Sequence, residues 1–140
     1  MTTMRSKFMA LALATAVTGG GLVTPAAFAQ QHWMERLGSR WDTQENGWTG
    51  VWSRRTYTTT KSNIFDATWT HPVHATFTSE MRITISVRNE VTVIRTDNTP
   101  GNNRCIYKGR INANSTYAWG THTCGITGSR VHQWSAQIRP

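Results

Sequence analysis

Apolar and polar residues alternate strictly between residues 81 and 88. Met81, Ile83, Ile85 and Val87 fall on one side, and Arg82, Thr84, Ser86 and Arg88 on the other. Val91 and Val93 resume the apolar face beyond Arg88-Asn89-Glu90, which predicts two antiparallel strands joined by a three-residue hairpin loop. One buried face and one wet face are the mark of an antiparallel sheet. The same period runs through Phe65, Ala67, Trp69 and His71 against Asp66, Thr68 and Thr70. It returns in Trp134, Ala136 and Ile138 against Ser135 and Gln137.

About seven strands are predicted on this basis, at 47–55, 62–71, 79–88, 90–97, 103–112, 116–125 and 132–139. Short strands in meander order, with few helical segments, predict an all-β fold: a small antiparallel meander barrel over 47–140. Ahead of it, "QHWMERLGSRWD" carries Trp33, Leu37 and Trp41 every four residues, which predicts a short amphipathic helix within 30–46, interrupted at Gly38. Trp33 and Trp41 would then close one end of the barrel.

The first 29 residues have a different character. Arg5 and Lys7 precede an apolar run from Phe8 to Val23, and Ala27-Phe28-Ala29 is a small-x-small cleavage pattern. Residues 1–29 therefore read as a cleaved secretory signal, leaving an exported chain in the periplasm or outside the cell and no stable membrane span. Glycines 19–21 break the apolar run well short of the roughly 20 residues needed to cross a bilayer. The remaining 30–140 holds thirteen basic and seven acidic side chains, a net charge of +6. Such a balance suits anionic partners such as an envelope glycan, lipid headgroups, nucleic acid or an acidic protein, or simply keeps the chain dissolved.

Cys105 and Cys124 lie symmetrically about the polar segment Ala113-Asn114-Ser115-Thr116. If that segment is a hairpin turn, 111 faces 118, 109 faces 120, 107 faces 122 and 105 faces 124. Directly opposed side chains share a sheet face within disulfide reach, and an exported chain meets oxidising conditions. A Cys105–Cys124 bond is expected. Asn114-Ser115-Thr116 also fits a glycosylation acceptor and is read here as the turn.

Candidate chemistry concentrates in "NIFDATWTHPVH", residues 63–74. On a strand, Asp66 faces away from Trp69 and His71, so the three make no compact site. His71 and His74 flank Pro72, and no third ligand stands at metal spacing. No metal, cofactor or catalytic set is expected from this stretch. Elsewhere there is no Gly-x-Ser-x-Gly, His-Glu-x-x-His or phosphate-cradling glycine loop. Asp66 and Glu80 can approach in space as paired carboxylates, and His122 would face Tyr107 as a base or as a structural pair. Of seven tryptophans, Trp52, Trp69 and Trp134 read as core. Trp119 falls opposite Lys108 or Arg110 on the outer face, free to stack a sugar or base, or a neighbouring cation.

Gly50-Val51-Trp52, on the first predicted strand after a short helical segment, resembles the opening of lipocalins and the related avidin-like barrels. The resemblance implies a meander barrel with a ligand-holding cavity, the tryptophan plugging its base and a basic residue, Arg139, over the ring. Ser53-Arg54 stands where an avidin carries a polar residue followed by asparagine, so biotin is not implied. The spacings Trp-x-x-x-Trp, Phe-Asp-Ala-x-Trp and Cys-x-Tyr-x-Gly also look like those of small exported bacterial barrels.

The expected function is that of an exported, non-enzymatic binding protein for a small amphipathic molecule or a cell-envelope glycan, not for DNA. Its inward set would be Trp69, His71, Tyr107, His122 and Trp134. One alternative is a small basic hydrolase of the ribonuclease type using Glu80, Arg82 and His132. Another is an envelope protein-interaction or inhibitor protein acting through its basic surface.

Overall fold

The computed structural model describes residues 33–58, 60–98, 104–125 and 130–140. The expected signal segment lies outside the described residues. Among those described there are eight strands: β1 (Arg40–Glu45), β2 (Trp48–Tyr57), β3 (Thr60–Thr70), β4 (Phe77–Ile85), β5 (Glu90–Asp97), β6 (Arg104–Ile111), β7 (Tyr117–Cys124) and β8 (His132–Arg139). Each pairs with the next, and β8 returns antiparallel to β1, closing the barrel.

The count corrects the expected seven, and the added strand is β1, inside the segment expected to be helical. Among the described residues of that segment, 33–35 form a helical turn. Gly38 then adopts φ +60°, the left-handed conformation that ends helices. A Cβ there would run into the Arg139 carbonyl oxygen. Beyond it Trp41, Thr43 and Glu45 are buried in alternation, the period of a strand. The four-residue spacing of Leu37 and Trp41 survives because both reach the interior, one from a turn and one from a strand. The Trp41 Nε1–H donates to the Leu37 carbonyl at 2.7 Å.

A second correction concerns the β4–β5 hairpin. β4 ends at Ile85, and Val87, expected inside, is 91% exposed. The Ser86 N–H donates to the Glu90 carbonyl at 2.9 Å and Asn89 has φ 62°, so the three-residue loop is 87–89, one residue earlier than expected. Asparagine tolerates the left-handed position that closes such a loop.

The β6–β7 register is the one derived from the cysteine symmetry. Ile111 faces Ala118, Gly109 faces Gly120, Tyr107 faces His122 and Cys105 faces Cys124. The disulfide joins the last pair across a Cα separation of 4.0 Å. At the turn, Asn112 Oδ1 accepts from the N–H groups of Thr116 and Tyr117.

The interior is filled with rings. Trp41 and Trp52 stack with centroids 5.6 Å apart, and Trp52 meets Trp69 and Tyr107 edge-on at 5.9 Å. Leu37 and Trp41 close one end. Two arginines tie the N-terminal turn across that end: Arg54 donates to the carbonyls of Met34 and Gly38, and Arg36 to Asn89 and Ser115. Gly50-Val51-Trp52 therefore sits on the second strand rather than the first. Arg139 points outward and pairs with Asp42 at 2.6 Å instead of covering the Trp52 ring.

Candidate functional site at the open end of the barrel

At the other end, bounded by the β1–β2 hairpin and residues 71–76, the lining changes from apolar to charged. Strand alternation enforces this. The phase that buries Trp41 and Thr43 carries Glu45 inward, that of Val91 and Val93 carries Arg95 and Asp97, and that of Ala118 carries His122. All four side chains are buried.

Arg95 organises them. Its Nη1 donates to Glu45 Oε1 at 2.8 Å and to the Tyr107 hydroxyl at 2.9 Å. Its Nε and Nη2 grip the two Asp97 oxygens at 2.7 and 3.3 Å. The guanidinium also lies over the Trp69 ring at 5.0 Å and the Phe77 ring at 5.2 Å. One buried cation thus faces two carboxylates, an arrangement that needs every hydrogen bond made.

Two are not made. Glu45 Oε2 and His122 Nδ1 are buried without a hydrogen-bond partner and stand 3.8 Å apart. Burial raises the Glu45 carboxyl above the usual range, opposed by Tyr107 and Arg95. Burial, together with the charge of Arg95 and then of His132, lowers His122 to about 4, so its imidazole is neutral at neutral pH. Burial first, and then the charge of Glu45, pushes the Tyr107 hydroxyl up. A buried acceptor left open calls for a donor, from water or a ligand.

The residues that carry them, Glu45 and His122, line a recess of about 180 Å³ bounded also by Trp48, Arg95, Arg130 and His132. A second recess of about 440 Å³ lies between Trp48, Phe77, Arg95 and Asp97. Trp48 borders both. Its ring is held by His71 at 4.9 Å, Phe77 at 5.0 Å and His74 at 5.8 Å.

The residues of 63–74 separate as strand geometry requires. Asp66 is outside, held by Arg55 at 2.5 Å, while Trp69 is wholly buried and donates its Nε1–H to Ser79 Oγ at 2.7 Å. His71 and His74 come together at the rim with rings 4.4 Å apart, and the Val73 N–H donates to His71 Nδ1. Among the described residues no group of three His, Cys, Asp or Glu side chains is placed to hold a metal ion. Of the expected inward set, Trp69 and Tyr107 are sealed in the core, Trp134 is nearly so, His122 reaches the smaller recess and His71 sits at the rim.

Asp66 and Glu80 do face each other across β3 and β4. Arg55 bridges them, donating to both carboxylates. Glu80 and Arg82 lie on β4 and His132 on β8, opposite sides of the eight-strand ring, so this trio is not brought together. Trp119 pairs with Arg110 across the strands, is 43% exposed and stacks on Tyr117 at 5.8 Å.

Sequence reasoning missed Glu45, Trp48, Arg95 and Asp97. For Arg95 the signal was present: it continues the buried phase of Val91 and Val93, where a cation is out of place unless paired. Glu45 had no readable phase while its segment was taken as helical.

Comparison with protein-family models, curated proteins and solved structures finds no match for this chain.

Proposed function

We propose that the protein is an exported, non-enzymatic binding protein that takes a small amphipathic molecule at the open end of its barrel. The observation that carries this reading is the pair of buried, unpartnered atoms, Glu45 Oε2 and His122 Nδ1, on two residues that line one recess beside Trp48. A ligand with an O–H or N–H donor would satisfy the carboxylate oxygen. Its apolar body would lie against Trp48 and Phe77, which border the neighbouring recess. Concave sites with aromatic walls and a few convergent polar groups are the usual form of small-molecule binding.

Trp69, Tyr107 and Trp134 then act as the packed wall behind the site, holding Arg95 and Trp52 in place. The leader-like residues 1–29 and the Cys105–Cys124 bond support export to an oxidising compartment.

A thermal-shift and calorimetric scan with medium-chain alcohols, primary amines and small phenols tests the reading. Binding to the folded state raises the melting temperature by mass action. One class is expected to give a saturable shift that Trp48→Ala and His122→Phe each reduce. A flat scan, or a shift that both variants leave intact, rejects the site.

A further inference from the structure

We infer that the outer wall of the barrel carries a second binding surface, for an uncharged oligosaccharide. It adjoins the site at the mouth, the two sharing Glu45 and Trp48, and extends from there along the outside of β7 and β8. The strand register sets Trp119 beside Ser135, Ser135 beside Gln44, and Gln44 beside Thr49, one row across β7, β8, β1 and β2. These positions alternate with the buried Ala118, Trp134, Ala136 and Glu45, so they face outward. Along this row runs an open groove of about 1110 Å³ that reaches the β1–β2 hairpin.

Its chemistry is selective. Tyr117 and Trp119, two apart on β7, stack with an interplanar angle of 22°, and Trp119 is 43% exposed. The rest is largely hydroxyl and carboxamide, from Thr49, Gln44, Gln133 and Ser135. Among the described residues lining the groove, Glu45 is the one that carries a charge, and its carboxylate is engaged by Arg95 inside the barrel. The chain has 15 basic residues, yet among the described residues no lysine or arginine lines this groove, Arg110 standing at its edge beside Trp119.

Such a lining favours an uncharged occupant over a polyanion, because nucleic acids and sulfated glycans are held chiefly by cations. A sugar ring fits what remains. Its C–H face packs on an indole, whose π-face is electron-rich. Its hydroxyls both donate and accept, and a carboxamide answers either need. The groove exceeds the roughly 300–1,000 Å³ of a typical small-molecule pocket and is open, so it suits a run of sugars rather than one.

The test titrates the full chain, disulfide formed, with maltohexaose, cellohexaose and chitohexaose, using heparin as the anionic control. Tryptophan fluorescence and calorimetry are read at low and high salt. At least one uncharged hexasaccharide is expected to bind saturably, with an affinity indifferent to salt. Trp119→Ala is expected to weaken it by roughly tenfold or more, the loss of one stacking partner. Gln133→Ala should weaken it less, and His122→Phe, at the mouth, should leave it unchanged. Trp119 and Gln133 are exposed, so both variants should keep the fold, which circular dichroism verifies. Failure of all three hexasaccharides to bind at millimolar concentration overturns the inference. So does binding that Trp119→Ala leaves intact, or salt-sensitive binding confined to heparin.

Discussion

Arg95 bonds to Glu45, Asp97 and Tyr107, all of them buried, and covers two aromatic rings. Removing it leaves two carboxylates buried against each other's charge. Arg95→Ala is therefore expected to cost about 3–5 kcal/mol, read as a lowered urea midpoint. Gly50 is its counterpart on β2, two residues beyond Trp48. A Cβ there would stand 2.6 Å from the Trp69 ring and closer still to Thr43 Oγ1. Gly50→Ala should destabilise by about 1–3 kcal/mol through overpacking, with a changed near-ultraviolet circular dichroism band from the displaced tryptophan. The first glycine of the Gly-x-Trp pattern thus has a steric reason: it makes room for an indole from the next strand.

At the level of elements, the β6–β7 hairpin was readable and the N-terminal turn was not. The β6–β7 pairing followed from two cysteines and a polar turn, because a disulfide between opposed strands admits a single register. Replacing both cysteines by serine should remove about 3 kcal/mol, by the entropy of the loop they close. That corresponds to a fall in melting temperature on the order of 10–20 °C. The N-terminal segment misled because Trp33, Leu37 and Trp41 recur at a helical spacing for a reason other than a helix. Gly38 was the better signal, a stop rather than an interruption. Its φ of +60° and the Arg139 carbonyl oxygen in the path of any Cβ predict that Gly38→Ala destabilises by about 1–3 kcal/mol. Unfolding in urea would register it.

For the whole molecule, the charged end of the barrel couples stability to pH. His122 binds its proton at about 4 in the folded state and near 6.5 when unfolded. The unfolded chain therefore takes up more protons across that window, and stability contributed by the neutral imidazole is lost as pH falls from 6.5 to 4. Glu45 works in the opposite sense. Its raised carboxyl binds a proton more readily folded than unfolded, so acidification relieves part of its burial cost. The melting temperature should fall between pH 6.5 and 4, less steeply in His122→Phe and more steeply in Glu45→Gln. Identical slopes in all three proteins would contradict the assignment.

The all-β class, the meander order, the inward faces of β3, β4 and β8, and the cysteine pair were all legible in the chain's residue pattern. These are local or nearest-neighbour properties: alternation with a period of two, and symmetry about a turn. Closure of the barrel was decided only in three dimensions, because it depends on β1 pairing with β8 across nearly the whole chain. The gathering of Glu45, Arg95, Asp97 and His122 was likewise hidden. They sit toward the ends of three strands, β1, β5 and β7, and only the closed ring's register gathers them into one buried cluster. The neutral groove needed the same closure, since Trp119, Ser135 and Gln44 become neighbours only when β7, β8 and β1 stand side by side.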